Sequence, residues 1–410
     1  MSNQPTGNNG MNNNGTLNAE TQRKSPQGKI LQPKLRFKGF TDPWQQRKLG
    51  ELAEFSKGAG FSKSDLCEHG RGIILYGQMY TNYQLVIDCI STHVPMNSHG
   101  VESRRNDIIV PASGETPEDI ATASVVKLDG VLLGGDINVV RLHGNQTDAT
   151  FIALLLSHGS LHKTLASRAQ GKSIVHLHIS DIANLHVLKP GITEQSRIAE
   201  FFRVLDDRIA AAKKKADLLN LKKRYYLQAI FSQQLRFKGF TEPWQQRKLG
   251  DLLKFERPDR YIEPDGDYLS EGTTPVLTAN KGFVLGYTNN SEGIYDKGAC
   301  IIFDDFTLDR KLVRRPFKVR SSAIKILTAN PSMDLYFIFE LLEFQKFPSL
   351  GHARHYISVV EPWRAPVPDC SEQTHIGEMF RMMDDLIVAV TRKIELLERR
   401  KTAYLQRLFV

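Results

Sequence analysis

The segment LRFKGFTDPWQQRKLGEL spans residues 35–52, and LRFKGFTEPWQQRKLGDL spans residues 235–252. Sixteen of the 18 positions are identical, and the two exceptions exchange aspartate and glutamate. We call these segments the first box and the second box. A chain that carries one segment twice, 200 residues apart, contains an internal repeat. The rest of the sequence is therefore best described as two copies of one repeating unit.

A second pair of matching segments extends the repeat. Residues 194–231 and 372–409 are identical at 18 of 38 aligned positions, with an offset of 178 residues. The change of offset is absorbed by two inserts, residues 53–193 and 253–371, which show little similarity to each other. The order is therefore box, insert and helical segment, repeated once. Two constant frames hold two different inserts.

Both helical segments carry a heptad pattern. Apolar residues recur in alternating steps of four and three for about five heptads, which favours a coiled coil over a short surface helix. Lysine occupies the same seam position in both segments, at 223 and 401, and could help to set the register. The seam positions singled out are Ile198, Phe202, Leu205, Ile209 and Leu219 in the first segment, and Ile376, Phe380, Met383, Ile387, Ile394 and Leu397 in the second.

Two arrangements of these helices are open. Each could dimerise independently, or the two could pair with each other in one chain. If a two-fold axis relates the frames, the helices are antiparallel, with one insert at each end, and the C-terminus lies against the first box. At 1.5 Å per residue such a helix is about 55 Å long.

The inserts mix strand-like and helical patterns. Runs such as NDIIVPAS from residue 106 and ACIIFDDF from residue 299 predict strands, whereas the run from residue 147 to 167 predicts a helix. We predict a mixed α/β (α+β) fold with two globular domains and two long antiparallel helices. The expected boundaries are 1–30 for a disordered Asn/Gly-rich tail, 31–193 for the first domain, 194–234 for the first helix, 235–371 for the second domain and 372–410 for the second helix.

Composition narrows the class of protein. The 410 residues have a net charge of +9, which favours a polyanionic partner only weakly. The four cysteines are far apart and form no CxxC pair, so we expect a reducing cytoplasm and no metal site. No apolar run reaches the roughly 20 residues that a membrane-spanning helix needs, and we expect no membrane association.

No segment carries a complete catalytic motif. GKS at residues 171–173 lacks the earlier glycine of a phosphate-binding loop, because Ala166 stands at that position. NPSM at residue 330 lacks the second proline and the aromatic residue of an adenine methyltransferase motif. His176 and His178 have no nearby cysteine or acid and are better explained as a polar strand face. We therefore predict a protein that is not an enzyme.

The repeated frame resembles the DNA specificity subunits of type I restriction–modification systems. Each box resembles the opening segment of that family, and EQxxI at Glu194 and Glu372 fits as well. TPVLTANKGFVLGYTN from residue 274, followed by the loop at Asp305, Phe306 and Thr307, resembles the family's recognition domains. The resemblance covers residues 31–410.

This resemblance implies a function and a set of partners. The inserts would be target recognition domains for a bipartite, asymmetric site on double-stranded DNA. The frame would dock two methyltransferase subunits that methylate adenine, and restriction subunits would join them. The chain itself would bind no cofactor, and the partners would use S-adenosylmethionine, ATP and Mg. The competing hypothesis is a coiled-coil adaptor that joins two protein-binding domains without DNA.

Candidate DNA contacts are polar and basic residues in loops between strand-like runs, because such side chains contact phosphates and base edges. In the first insert the candidates are Tyr76, Gln78, Arg104, Arg105, Lys172 and Ser173. In the second insert they are Asn280, Lys281, Thr307, Arg310, Lys311, Arg314, Arg354 and His355.

Overall fold

The structure is a computed structural model that describes residues 17–18, 33–264, 268–280, 282–348, 351 and 353–409. The tail predicted to be disordered lies outside the described residues, apart from a short strand at Leu17–Asn18. The chain forms two compact units. Unit 1 contains residues 1–211 and 393–410, and unit 2 contains residues 212–392. Each unit therefore combines one box and one insert with a part of each long helix.

Unit 1 holds the first box and the first insert. Its strands are β1 (Leu17–Asn18), β2 (Arg36–Phe37), β3 (Gln45–Lys48), β4 (Ala53–Lys57), β5 (Arg71–Ile74), β6 (Val86–Ile87), β7 (His93–Val94), β8 (Asp107–Pro111), β9 (Ser113–Gly114), β10 (Ser124–Val126), β11 (Leu132–Leu133), β12 (Ile137–Leu142), β13 (Val175–His176) and β14 (His186–Lys189). Its helices are α1 (Gln78–Thr81), α2 (Pro117–Ile120), α3 (Ala149–Ser157), α4 (Gly159–Arg168), α5 (Ile179–Ala183) and the first half of α6 (Ile192–Phe231).

Unit 2 holds the second box and the second insert. Its strands are β15 (Gln245–Lys248), β16 (Leu253–Glu256), β17 (Thr274–Leu277), β18 (Val284–Thr288), β19 (Cys300–Asp304), β20 (Arg310–Val313), β21 (Lys318–Val319), β22 (Ile324–Ala329) and β23 (Arg364–Val367). Its helices are α7 (Leu335–Phe344) and the first part of α8 (Cys370–Leu408), and a π-helical turn spans Tyr356–Val360.

The main sheets of the two units share one order of four antiparallel strands, to which unit 1 adds β6 in parallel with β10. In unit 1 the order is β4-β12-β8-β10-β6, and in unit 2 it is β16-β22-β19-β20. The central strands β8 and β19 are buried throughout, as expected for apolar runs covered on both faces. Val140 pairs with Ile108 in unit 1, and Leu327 pairs with Ile301 in unit 2. Two inserts with little sequence similarity therefore form the same antiparallel core.

Each box closes its own insert. The box strand β3 pairs with β14, the last strand of the first insert, and β15 pairs with β23 in the second. The box arginine then holds the start of the long helix. Arg36 donates hydrogen bonds of 2.8 and 2.6 Å to the Glu194 carboxylate, and Arg236 donates bonds of 3.0 and 2.6 Å to Glu372. Each box therefore joins the last strand of its insert to the start of the following long helix, and we call this set of contacts the clasp.

The glutamine of each EQxxI motif completes this clasp. Gln195 Oε1 accepts a hydrogen bond of 2.9 Å from the backbone N–H of Asp148, which caps α3. Gln373 Oε1 accepts an equivalent bond of 3.2 Å from the backbone of Asp334, which caps α7. The motif therefore connects the long helix to the insert in both units.

The long helices are antiparallel in each unit, which confirms that part of the predicted fold. In unit 1 the ring of Phe201 packs on Tyr404, and Lys401 Nζ lies 2.6 Å from Asp206 Oδ1. In unit 2 Lys223 Nζ lies 2.7 Å from Asp384 Oδ1. The singled-out seam positions are all buried or half-buried, and Ile198, Phe202, Ile376 and Phe380 have 0% exposure.

An aromatic cluster joins helix, box and insert in each unit. In unit 1 Phe409 packs on Phe151 and Phe202, and Phe151 contacts Trp44 of the first box. The C-terminal end of α8 therefore shares a core with the first box, as the repeat predicts. The corresponding cluster in unit 2 consists of Phe231, Trp244, Phe337, Phe344 and Phe380.

Candidate nucleic-acid interface

The main sheet of each unit has two distinct ends. One end, which we call the spacer end, lies beside the long helices: a cleft there in unit 1 is lined by both Arg141 and Ile192, and Arg314 in unit 2 forms a 2.8 Å ion pair with Asp385 of α8. The opposite end, the distal end, is where the central strands β8 and β19 finish. Most candidate residues lie at the distal ends.

A tightly organised loop follows β19 at the distal end of unit 2. We call residues 304–309 the Asp304 loop. Asp304 Oδ1 accepts hydrogen bonds of 2.9 and 3.0 Å from the backbone N–H groups of Phe306 and Thr307. The buried Asp305 Oδ1 accepts one of 2.7 Å from Tyr356, and Asp305 Oδ2 lies 3.3 Å from Lys325 Nζ. The contacts of these two acids fix the conformation of the loop.

Two candidate residues, Thr307 and Asn280, contact each other at the Asp304 loop, and a third, Arg354, lies beside Phe306 of the same loop. Thr307 Oγ1 donates a hydrogen bond of 3.1 Å to Asn280 Oδ1. The Arg354 guanidinium lies 5.8 Å from the ring centre of Phe306, which is 39% exposed. An exposed aromatic ring, a guanidinium and a hydroxyl thus share one surface. Such a group can stack on and hydrogen-bond to a base edge.

The remaining candidates of unit 2 are placed differently. His355 is fully buried, and its Nδ1 lies 3.0 Å from the carbonyl oxygen of Asp305, so it supports the loop from below. Arg310 forms a 2.7 Å ion pair with Glu343, and Lys311 is exposed on β20. Arg314 lies at the spacer end. Lys281 lies outside the described residues.

The distal end of unit 1 is built from the chain that follows β8. Ser113 Oγ lies 3.0 Å from His176 Nδ1, which joins the end of β8 to the loop that carries Lys172 and Ser173. Both of those side chains are exposed. Gly171 has a φ of +148°, and a Cβ there would collide with the carbonyl oxygen of Ile174. The loop therefore requires glycine before Lys172.

Tyr76 and Gln78 border the same end of unit 1. Gln78 begins α1, and its Oε1 accepts a hydrogen bond of 3.2 Å from the backbone of Leu75. The Tyr76 ring lies 6.4 Å from that of Tyr80. Burial, followed by the neighbouring Tyr76, Glu115 and Asp119, raises the pKa of the Tyr80 phenol. The α1 turn is therefore close to the segment after β8.

Arg104 and Arg105 do not lie at the distal end of unit 1. They precede Asp107, the first residue of β8, so the length of that strand separates them from Lys172 and Ser173. Asp107 is 1% exposed and holds Arg141 through hydrogen bonds of 2.8 and 2.6 Å. The two arginines therefore lie at the spacer end of unit 1.

Several residues of these surfaces are not among the predicted DNA contacts. Ser113, Glu115 and Phe306 lie at the distal ends, and Asp304 shapes one of them. A usable signal existed: in both inserts a buried strand run leads into a segment that contains several polar residues, at residues 113–116 and 304–309. The pairing of Ser113 with His176 could not be found in this way, because the two are 63 residues apart.

Metal-binding clusters and membrane-spanning helices are two further features that bear on function. Among the described residues, no group of three or more His, Cys, Asp or Glu side chains is arranged to hold a metal ion. No helix within the described ranges combines the length and apolar character needed to cross a membrane.

Comparisons with known proteins match part of the chain to a family model. Residues 41–221 match the model of the type I restriction modification DNA specificity domain, which confirms the resemblance seen in the sequence. The specificity subunit of the type I restriction enzyme EcoR124I/EcoR124II from Escherichia coli is 36% identical over 166 residues, or 38% of this chain and 41% of that protein. The match thus spans less than half of that relative's length.

Two further comparisons extend over more of the chain. A putative type I restriction enzyme specificity subunit, MjaX, from Methanocaldococcus jannaschii is 23% identical over 303 residues, or 67% of this chain and 70% of that protein. The crystal structure of the S subunit of a type I restriction–modification system from M. genitalium aligns with a TM-score of 0.68 and 16% identity. It covers 92% of this chain and 99% of that one, which confirms the predicted fold.

Proposed function

Because residues 41–221 belong to the type I restriction modification DNA specificity domain family, we propose that this chain is the sequence-recognising subunit of a type I restriction–modification complex. Its target is a bipartite, asymmetric site on double-stranded DNA. Unit 1 recognises one half and unit 2 recognises the other. Each unit uses the loops at the distal end of its main sheet.

One observation carries this proposal. The two units have the same strand order and the same box clasp, but different residues follow the central strand. The segment after β8 is ASGET, whereas the segment after Phe303 is DDFTLD. Because base contacts depend on the donors and acceptors presented, unlike loops on a constant frame favour two unlike half-sites.

Under this proposal, partner subunits catalyse the reactions of the complex. Neither repeat carries a catalytic motif, so the chain selects the site and methyltransferase subunits modify adenine with S-adenosylmethionine. Restriction subunits use ATP and Mg. The pseudo-symmetric frame supports two methyltransferase copies, since equivalent surfaces bind equivalent partners.

An apolar groove in unit 2 is the best candidate for one docking surface. Its volume is about 550 Å³, and it lies between α6, α8 and the second box. Three apolar side chains on its wall are unusually open: Met382 is 65% exposed, Leu386 42% and Leu235 40%. An exposed apolar patch of this kind is typical of a protein interface.

The deciding experiment is long-read sequencing of methylated adenines in a host with and without this gene, in the presence of its methyltransferase partner. We expect a gapped, two-part adenine motif to disappear when the gene is removed. An unchanged methylation pattern, together with no salt-dependent binding of the complex to duplex DNA, would favour the adaptor hypothesis instead. Counterion release makes DNA binding fall steeply with salt, so this second measurement separates the two classes.

A further inference from the structure

A polar cleft of about 500 Å³ opens at the spacer end of unit 1. Its lining includes four cations, Arg104, Arg105, Lys127 and Arg141, and two acids, Asp107 and Asp148. Arg141 is neutralised by the buried Asp107. Asp107 Oδ2 also accepts a hydrogen bond of 2.8 Å from the backbone N–H of Arg104, so it fixes the loop that presents the other cations.

The other three cations form no ion pair with any acid of the described residues. Lys127 Nζ donates a hydrogen bond of 2.7 Å to Asn106 Oδ1, and Arg105 donates one of 3.1 Å to the carbonyl oxygen of Lys127. These bonds position the groups without joining their charged ends to a carboxylate, although Asp148 also lines the cleft, so the cations outnumber the acids there. Partial burial lowers the pKa of Lys127, and the adjacent Arg105 and Arg203 lower it further, while Asp148 opposes them. The cleft is therefore locally positive.

The equivalent positions of unit 2 show that this imbalance is specific to unit 1. Arg104 stands three residues before the first residue of β8, and Lys297 stands three residues before the first residue of β19. Lys127 follows β10, and Arg314 follows β20. Both positions thus carry cations in both units.

In unit 2 both cations are neutralised. Lys297 Nζ donates hydrogen bonds of 2.8 and 2.9 Å to the Glu256 carboxylate, and Arg314 forms its 2.8 Å ion pair with Asp385. The counterpart of Asp385 on α6 is Asp207, which instead pairs at 3.0 Å with Arg203 of its own helix. Among the described residues of unit 1, Arg104 and Lys127 therefore lack the ion pairs that Lys297 and Arg314 form in unit 2.

We infer that this cleft binds a backbone phosphate of the DNA, and that Arg104, Arg105 and Lys127 bind it directly. Arg104 and Arg105 are exposed at the rim, which suits a polyanion that crosses the cleft better than a small anion enclosed in it. Phosphate contacts position a protein on the duplex without reading its sequence. This inference rests on the proposed function and makes the anchoring of the two units unequal.

The test compares duplex binding of the purified complex at several salt concentrations. For Arg104→Ala/Arg105→Ala and for Lys127→Gln, we expect a several-fold weaker affinity on cognate and unrelated duplexes alike. The slope of log K against log salt should become shallower by about 0.9 for each phosphate that the variant no longer neutralises. Arg104→Lys keeps the charge and should keep the slope. Lys297→Ala is the matched control in unit 2 and should leave the slope unchanged.

Other results have distinct meanings. An unchanged slope in both unit 1 variants overturns the inference, whereas no duplex binding by the unsubstituted complex overturns the proposed function itself. Loss of recognition on cognate DNA alone would make the arginines base contacts and also overturns the inference. A third arm uses inorganic phosphate: thermal stabilisation that only the unit 1 variants lose, with an unchanged slope on DNA, would assign the cleft to a free phosphate.

Discussion

At the residue scale, the motifs that occur in both repeats stabilise the fold. The arginine of each box and the glutamate of each EQxxI motif form a buried bidentate pair, with Glu194 at 2% and Glu372 at 1% side-chain exposure. In unit 2 Trp244 Nε1 adds a hydrogen bond of 3.0 Å to Glu372. A buried carboxylate requires such partners, because an unpaired charge in the interior is costly.

Removing one partner of this clasp should destabilise unit 2 strongly. Arg236→Ala leaves the Glu372 charge buried, and we expect a loss of about 3–5 kcal/mol in the free energy of unfolding. The double variant Arg236→Met/Glu372→Leu should lose much less, since it removes the charge together with its partner. Urea unfolding of the full chain measures both. Equal losses in the single and double variants would contradict the buried-charge explanation.

Glu340 makes unit 2 sensitive to pH. Burial raises the pKa of this α7 carboxyl to about 7, although Lys223 Nζ lies 2.7 Å from Oε1 and opposes the shift. Lys223 also donates a hydrogen bond of 2.7 Å to Asp384 Oδ1, so two carboxylates share its ammonium. Because the folded-state pKa is above the ordinary value of 4.5, the folded state binds the proton more tightly than the unfolded state. Stability should therefore fall as the pH rises from about 4.5 to about 7.

The variant Glu340→Gln tests this direction. At pH 8 it should be more stable than the unsubstituted chain, by at most about 3 kcal/mol, because the buried charge is gone. At pH 5 the advantage should be small, since Glu340 is already protonated. Thermal unfolding at the two pH values measures the difference. A variant that is less stable at pH 8 would show that the Lys223 ion pair outweighs the cost of burial.

The sequence could predict the candidate surface only in part. Loop position and residue type selected Asn280 and Thr307, which contact each other, and Arg354, which lies beside Phe306 of the same loop. Their contact with DNA stays a prediction. Exposure was not predictable: His355 resembles a surface residue in the sequence, but it is fully buried under Asp305. The ion pair of Arg314 with Asp385 depends on residues 71 positions apart, which only the fold brings together.

At the element scale, the heptad pattern predicted both long helices and their antiparallel pairing. The observed helices, Ile192–Phe231 and Cys370–Leu408, each begin two residues before the matching segments at 194 and 372. The two seam lysines are equivalent: Lys223 pairs with Asp384, and Lys401 pairs with Asp206. Each acid–lysine contact links α6 with α8, so a polar pair at the seam can fix the register.

A double-mutant cycle on the Lys401–Asp206 pair tests its role in the register. Lys401→Asp and Asp206→Lys should each destabilise unit 1, and the charge-swapped double variant should recover part of the loss. We expect a coupling energy of about 0.5–3 kcal/mol, because the two groups are in contact. The Arg203–Glu200 pair, which lies on one exposed helix face, is the matched control and should show a weaker coupling. Equal coupling for both pairs would remove the special role of the seam pair.

Within the inserts, the elements were predictable but their partners were not. Runs such as NDIIVPAS gave the central strand β8, since apolar, β-branched segments favour strands. The common strand order of the two main sheets could not be derived from inserts that lack shared sequence. It depends on antiparallel pairings between distant segments, for example Val139 with Ile109 and with Ser56.

At the scale of the whole molecule, the parts that both repeats share stabilise the fold, whereas the distal loops proposed to recognise DNA differ between the units. Box, helix ends and aromatic cluster are shared by both units. The clasp hydrogen bonds join Glu194 to Arg36 and Glu372 to Arg236, and none of these four residues belongs to a distal loop. The distal loops can therefore vary without loss of the clasp. Under the proposed function, the two units should contribute separate, nearly additive terms to recognition, because sites without shared partners usually do not couple.

Two matched substitutions test this independence. Arg354→Ala removes a guanidinium beside Phe306 in unit 2, and Lys172→Ala removes an exposed ammonium in the distal loop of unit 1. If each side chain contacts a base, each variant should lose about 1–3 kcal/mol of discrimination at one half of the target and none at the other half. Binding to a library of duplexes randomised in both halves measures the two losses in parallel. An equal loss on every sequence would make the residue a phosphate contact, whereas changed preferences in both halves would mean that the units do not recognise DNA independently.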